Sequence, residues 1–148
     1  MSDSDRFDAA ISFSLEKLGL PNLTLEKEQR LAVKAVYDGN DTFVCLPTGY
    51  GKSLCYQSLP FIMDHKLSLM DDSRRSAVLV VSPLVALMIN QVQSLRRRGV
   101  LSSIISSSKA VTSEYLATDA SLYTDSLLFC APEALFMSRW RDDPAVGE

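Results

Sequence analysis

The segment from residue 42 to residue 54 constrains the fold of this chain most strongly. It begins with a strand-like run, Thr-Phe-Val-Cys-Leu, and continues as Pro-Thr-Gly-Tyr-Gly-Lys-Ser-Leu. Its two glycines let the backbone curl so that N–H groups point inward and hold phosphate oxygens. A helix that starts after the loop would direct its positive N-terminal end at the same anion. The pattern therefore predicts a strand, a phosphate-binding loop and a helix.

The candidate nucleotide site covers residues 46–54. Its members are Leu46, Pro47, Thr48, Gly49, Tyr50, Gly51, Lys52, Ser53 and Leu54. We expect Lys52 to contact the β- and γ-phosphates of a nucleoside triphosphate and Ser53 to ligate Mg²⁺, so these two residues would carry the catalytic role. Leu46 stands where such loops usually begin with a small residue. The alternative to a nucleotide site at residues 46–54 is a glycine-containing turn that only joins a strand to a helix.

The composition is that of a soluble globular protein and fits one domain. The chain has 148 residues, of which 47% are apolar and 22% charged. Apolar runs are too short to span a membrane, and the acidic, polar start is unlike a secretory signal. The net charge of −3 argues against a globally basic nucleic-acid binder but leaves room for a local positive groove. Three cysteines without paired spacing predict small buried residues in a reducing compartment.

Strand-like and helix-like segments alternate along the chain. Helices are predicted over about 7–18, 25–37, 54–64, 84–98 and 112–120, with a last helix from Pro132 through Trp140, and strands over 42–46, 77–81, 103–106 and 127–130. In the second helix, Leu31, Ala35 and Val36 share one side. The continuous apolar run at 77–81 predicts a strand covered on both faces. This order predicts an α/β fold, a parallel sheet with ligand sites at the C-terminal ends of its strands.

Four separate blocks resemble a known family in their order and spacing. They are Leu-Glu-Lys-Glu-Gln at 25–29, the phosphate loop extended to Tyr-Gln at 56–57, Val-Val-Ser-Pro-Leu at 80–84 continuing to Gln-Val at 91–92, and Phe-Cys-Ala-Pro-Glu at 129–133. Together these blocks resemble the RecQ-type DNA helicases of superfamily 2, from about residue 15 to residue 140. The resemblance implies a RecA-like P-loop NTPase fold that uses ATP and Mg²⁺ for 3′-to-5′ DNA strand separation, in DNA repair and in the nucleus.

The resemblance also assigns roles to single residues. Gln29 would read adenine, since a carboxamide offers a donor and an acceptor together. Contacts to single-stranded or forked DNA would come from Ser82, Pro83, Leu84, Gln91, Pro132 and Glu133. Free N–H groups at the helix start after Ser82-Pro83 could bind a DNA phosphate. The alternatives are a solvated helix residue for Gln29 and an ordinary strand-to-helix turn for Ser82-Pro83. The basic run at 96–98 is better explained by a helix C-terminus than by a DNA patch.

The acidic motif with which the family positions Mg²⁺ and water is missing. No Asp-Glu dipeptide occurs in the chain, and Glu133 belongs to the Pro-Glu block instead. The sequence therefore resembles the amino-terminal part of the first lobe, truncated before the acidic motif. We expect a helical segment at 1–24 and a partial ATP-binding domain at 25–148 that is inactive alone. Other candidates are a non-catalytic nucleotide-binding or interaction module and a small-molecule P-loop kinase, which would need an acidic strand end and a basic lid.

Overall fold

The computed structural model describes residues 1–47, 49, 51–68 and 75–136 and divides the chain into two compact units, Met1–Val78 and Leu79–Glu148. The helices are α1 (Asp3–Lys17), α2 (Lys27–Tyr37), α3 (Lys52–Lys66), α4 (Val85–Arg97) and α5 (Ser121–Thr124). The strands are β1 (Val78–Val81), β2 (Ser102–Ile105) and β3 (Leu127–Cys130), and 3₁₀ turns cover Ser113–Tyr115 and Pro132–Phe136. No helix within these described ranges is long and apolar enough to cross a membrane.

The first unit is a helical layer built on α1. Apolar side chains of α1 recur at helical spacing and pack with α2 and α3 in one buried cluster that comprises Phe7, Ala10, Ile11, Leu15, Leu25, Val33, Tyr37 and Ile62. The hydroxyl of Ser2 accepts a hydrogen bond from the Asp5 N–H, and the Asp5 carboxylate accepts one from the Ser2 N–H. This capping box fixes where α1 begins. The predicted first helix is confirmed.

The buried face of α2 differs from the predicted one. Gln29, Val33 and Tyr37 are buried at a spacing of four residues, whereas Leu31 is 60% exposed. The helix itself was predicted correctly, but the apolar side centred on Leu31 is not the one that packs. Residues four apart lie on one face of a helix, so the buried position of Gln29 is coupled to that of Val33 and Tyr37.

The predicted strand at 42–46 is wrong. Residues 41–47 have no regular secondary structure, and Phe43 is 94% exposed. Cys45 is exposed too, contrary to the expectation of a buried cysteine. β-branched and aromatic residues favour an extended backbone, but a strand also requires a neighbour that accepts its hydrogen bonds. No residue of this segment takes part in a strand ladder.

The sheet has the order β1-β3-β2. β2 and β3 are parallel, with Ser102 opposite Leu127 and Ile105 opposite Cys130, and every residue of both strands is buried. The predicted α/β class with a parallel sheet and flanking helices is thereby confirmed. β1 differs from its prediction, because Leu79 is 43% exposed and Val81 47% exposed. That strand has only one covered face.

Two segments near the C-terminus that were predicted as helices form 3₁₀ turns within the described residues. In place of a helix at 112–120 the chain forms one 3₁₀ turn and then runs beside β2, where the Ala117 N–H donates to the Ile104 carbonyl at 2.8 Å. This pairing gives the Ala117 N–H a hydrogen-bond acceptor, as a helix would, and extends the edge of the sheet. From Pro132 a 3₁₀ turn reaches Phe136, and Trp140 lies outside the described residues.

Candidate nucleotide-binding site

The phosphate loop enters α3 through two glycines in the left-handed region. Gly49 has φ +85° and Gly51 has φ +72°, conformations that side chains with a Cβ rarely adopt. Thr48 and Tyr50, which the sequence assigned to the same site, lie outside the described residues. Leu54 donates its N–H to the Gly51 carbonyl at 3.1 Å, the first bond of the helical turn. The loop therefore ends on the residue before α3, and the helix begins at Lys52.

Lys52 and Ser53 occupy the first two positions of α3. Lys52 is exposed and Ser53 is half-buried, so an ammonium and a hydroxyl accompany the positive end of the helix dipole. A small anion would meet N–H groups, a cation and a hydroxyl at one place. Leu46 is half-buried and Pro47 is exposed in the segment that leads into the loop.

An apolar cavity of about 310 Å³ adjoins Lys52, between α2 and α3. Tyr56 and Cys55 line it from the α3 side. Burial raises the pKa of Tyr56 to about 12 and also raises the pKa of the Cys55 thiol. Both side chains therefore stay neutral at physiological pH, and Lys52 provides the positive charge of this wall.

A magnesium ion would depend on few protein ligands here. Within the described ranges no three His, Cys, Asp or Glu side chains converge on a point. The Ser53 hydroxyl is a hard oxygen donor of the kind that Mg²⁺ accepts, and Mg²⁺ at nucleotide sites takes its other ligands from phosphates and water. The site thus fits a metal that arrives with its nucleotide.

Gln29 joins the start of α2 to the phosphate loop. Its side chain is buried, with 5% of the residue exposed, so the alternative of a solvated helix residue is wrong. The side-chain oxygen accepts a hydrogen bond from the Glu26 N–H at 2.8 Å, and the side-chain nitrogen donates one to the Gly51 carbonyl at 3.1 Å. Adenine reading by Gln29 stays a prediction. The bond to the loop was not predicted from the sequence.

In the second unit, one hydrogen bond brings two of the family-like blocks together. The Ser82 N–H donates to the Cys130 carbonyl at 2.9 Å, which places the end of β1 beside the end of β3. The Leu84 N–H donates to the Ser82 hydroxyl at 3.3 Å. The donors expected to bind a DNA phosphate are those of the first turn of α4, which begins at Val85, so that role stays a prediction. Pro83 is exposed, and so is Leu84, at 60%.

The other predicted DNA residues lie on neighbouring elements of this unit. Pro132 begins the 3₁₀ turn after β3 and is half-buried, and Glu133 follows it and is exposed. Gln91 lies on α4 and is half-buried. The sequence block that contains Ser82 thus meets the Pro-Glu block at the C-terminal edge of the sheet, where ligands of parallel sheets bind.

A family model described as DEAD/DEAH box helicase matches residues 26–141. The chain belongs to this family. The match covers the phosphate loop, both blocks at the sheet edge and the whole described sheet, so the RecA-like P-loop fold implied by the resemblance is confirmed. Members of the DEAD/DEAH family are helicases that bind ATP.

The similar proteins are RecQ-type helicases, as the resemblance predicted. ATP-dependent helicase SGS1 of Saccharomyces cerevisiae is 36% identical over 110 residues, which are 72% of this chain and 7% of that protein. ATP-dependent DNA helicase Q-like 5 of Arabidopsis thaliana is 35% identical over 126 residues, 80% of this chain and 12% of that protein. ATP-dependent DNA helicase RecQ of Haemophilus influenzae is 30% identical over 111 residues, 74% of this chain and 16% of that protein. The chain spans 20% or less of the length of the curated relatives it matches.

Arg96, part of the basic run at 96–98, makes structural contacts to carbonyls outside α4, not to the last carbonyls of its own helix. Its Nε donates to the Ser102 carbonyl at 3.0 Å, one of its Nη atoms donates to the Glu114 carbonyl at 2.6 Å, and its guanidinium lies 5.6 Å from the Tyr115 ring centroid. These contacts tie the end of α4 to β2 and to the 3₁₀ turn. A cation near a helix C-terminus was the only sequence signal for this anchor.

Asp125 is a buried carboxyl near the start of β3. It accepts a hydrogen bond from the Ser103 hydroxyl. Burial raises the pKa of Asp125, while that hydrogen bond and the charge of Arg96 act in the opposite direction. Desolvation is the largest of the three effects, so ionised Asp125 is less stable in the fold than in water.

Proposed function

We propose that this chain is the ATP-binding part of a RecQ-like 3′-to-5′ DNA helicase, which couples ATP hydrolysis to DNA strand separation. The observation that carries the proposal is the phosphate loop, in which Gly49 and Gly51 hold left-handed conformations directly before Lys52 at the start of α3. Family membership supports the same conclusion. A DNA substrate implies the nucleus if the source is eukaryotic.

In this proposal Lys52 and Ser53 contact the phosphates and Mg²⁺, and Gln29 lies on the adenine side. Bound Mg²⁺ would neutralise charge on the β- and γ-phosphates. The Lys52 ammonium would hold the same oxygens, with residues 46–54 wrapping the triphosphate. The exposed groups Pro83, Leu84 and Glu133, with Ser82, Gln91 and Pro132, would face the DNA strand.

The test is ATP binding to the chain by isothermal titration calorimetry with Mg²⁺, comparing Lys52→Ala with Lys109→Ala. Lys109 is exposed on the loop after β2, so its substitution changes the net charge equally. A hydrogen bond to a charged group contributes about 1.5–3 kcal/mol, so Lys52→Ala should weaken ATP binding at least tenfold. Lys109→Ala should leave it unchanged. Equal affinities of both variants would refute the assignment of Lys52.

A second candidate function is a non-catalytic nucleotide-binding or interaction module. It is favoured by one observation, the lack of any Asp-Glu dipeptide in the chain. Both candidates predict ATP binding, but only a complete helicase site predicts hydrolysis stimulated by single-stranded DNA. We expect this chain to bind ATP without turnover, because the acidic group that orients the attacking water is not among its residues. A phosphate-release assay with and without an oligonucleotide tests this expectation, and turnover stimulated by the oligonucleotide would refute the second candidate.

A further inference from the structure

The Gly51 carbonyl accepts two hydrogen bonds. One comes from the Leu54 N–H within α3, and the other comes from the Gln29 side chain on α2, each at 3.1 Å. The first bond is expected of any helix start. The second spans 22 residues of sequence and is made by a buried side chain whose oxygen is held in turn by the Glu26 N–H. The glutamine is therefore fixed at both ends of its amide.

Fixing this carbonyl also fixes the next amide donor. The described residues contain no cis peptide bond, so the Gly51–Lys52 peptide is planar and trans. In such a unit the C=O and the N–H point in opposite directions. When Gln29 holds the Gly51 oxygen toward α2, the Lys52 N–H points away from α2. It belongs to the first turn of α3, where N–H groups lack partners within the helix and can bind an anion.

We infer that Gln29 is a positioning residue for phosphate binding, which acts through the Gly51–Lys52 peptide and orients the Lys52 N–H. This inference rests on the proposed nucleotide site and deepens it. A residue that only reads adenine would matter for ATP alone. A residue that orients the Gly51–Lys52 peptide affects the affinity for any ligand with the same phosphates, whatever its base.

Steric contact strengthens the same link. A Cβ built on Gly51 would lie 2.7 Å from the Gln29 side-chain nitrogen. By contrast, a Cβ built on Gly49 meets nothing within 4 Å. The loop glycine next to Lys52 is thus required by the packing of Gln29 as well as by its own backbone conformation.

The test compares three ligands that share a triphosphate: ATP, GTP and inorganic tripolyphosphate, each titrated with Mg²⁺ into the chain. Gln29→Met keeps the length of the side chain and removes both hydrogen bonds. We expect it to weaken all three ligands by the same factor, about two- to twelvefold, the effect of one lost hydrogen bond. The matched control is Gln93→Met, which breaks a 2.7 Å bond to the Tyr115 hydroxyl in the second unit and should leave all three affinities unchanged.

A loss confined to ATP would overturn the inference, because it would make Gln29 a reader of the base. No loss for any ligand would also overturn it. If the unaltered chain binds none of the three ligands, the proposed function is refuted, but the inference about Gln29 is not yet decided. The orientation of the peptide can still be judged without a ligand, from the backbone NMR signals of Gly51 and Lys52.

That ligand-free measurement uses two substitutions of Gln29. Gln29→Glu keeps an oxygen for the Glu26 N–H but has no donor for the Gly51 carbonyl, whereas Gln29→Met lacks both. We expect the Gly51 carbonyl-carbon and Lys52 amide signals to shift in both variants, and the Glu26 amide signal to shift mainly in Gln29→Met. Unchanged Gly51 and Lys52 signals would overturn the inference even where ATP binds.

Discussion

Substituting alanine at Gly51 should destabilise the fold more than the same change at another left-handed glycine. Gly51 and Gly39 both have positive φ, +72° and +91°. A Cβ at Gly39 meets nothing within 4 Å, while one at Gly51 lies 2.7 Å from the Gln29 nitrogen. Gly39→Ala therefore measures the cost of backbone conformation alone, and Gly51→Ala measures that cost plus the clash.

The expected magnitudes follow from these two contributions. A left-handed conformation costs a residue with a Cβ about 1–2 kcal/mol, which is the whole expectation for Gly39→Ala. At Gly51 the Gln29 amide must also move, because Cβ atoms do not approach polar atoms to such a distance. Its bond to the loop is then lost, which adds about 0.5–1.5 kcal/mol, and a buried donor left without a partner raises the added cost to about 1–3 kcal/mol.

The assay is urea unfolding followed by circular dichroism, with the free energy of unfolding compared across variants. Gln29→Ala removes the clashing nitrogen, so in that background Gly51→Ala should cost no more than Gly39→Ala. This double-mutant cycle isolates the contact between the two residues. Equal losses for Gly51→Ala and Gly39→Ala in the unaltered background would refute the reasoning, and so would a Gly51→Ala loss that Gln29→Ala does not reduce.

Two further predictions concern the second unit. Arg96→Ala should lower the free energy of unfolding by about 1.5–3 kcal/mol, since Arg96 donates to the Ser102 and Glu114 carbonyls, whereas the neighbouring exposed Arg97→Ala should change it by less than about 0.5 kcal/mol in the same urea assay. Because burial raises the pKa of Asp125 in the folded state, its contribution to stability is fully present below the ordinary aspartate value of 3.8 and is lost as pH rises through the folded pKa. Asp125→Asn should remove this loss, so the variant should gain stability relative to the unaltered chain as pH rises from 3 to 7; a difference that is constant with pH would contradict the assignment.

The sequence predicted the fold correctly wherever the residues that specify an element lie close together in the chain. The loop glycines, a helix directly after the loop and the parallel strands β2 and β3 were all predicted, because spacing and turn residues specify them locally. The extended run at 42–46 failed for a non-local reason. Its composition favours a strand, but a strand is stabilised by a neighbour that the sequence pattern does not identify.

In the candidate site, too, local features were predicted and contacts between distant residues were not. Lys52 and Ser53 follow from the motif, since their roles depend on residues next to them in sequence. The bond from Gln29 to Gly51 joins positions 22 residues apart, and no spacing rule predicts it. Arg96 likewise uses carbonyl groups of Ser102 and Glu114 as partners, and any residue type supplies a carbonyl. A contact to a backbone carbonyl does not restrict the residue type of the partner, so the sequence does not reveal it.

The run at residues 42–46, which has no regular secondary structure and exposes Phe43 and Cys45, has a practical consequence for handling this protein. Short apolar segments of high β-propensity stack with copies of themselves, and natural chains limit this with a charge or a proline at the flanks. Asp41 and Pro47 stand at those two positions. Cys45, exposed in the middle of the run, would crosslink any molecules that do stack under oxidising conditions, so a thiol reductant protects preparations from becoming covalent aggregates.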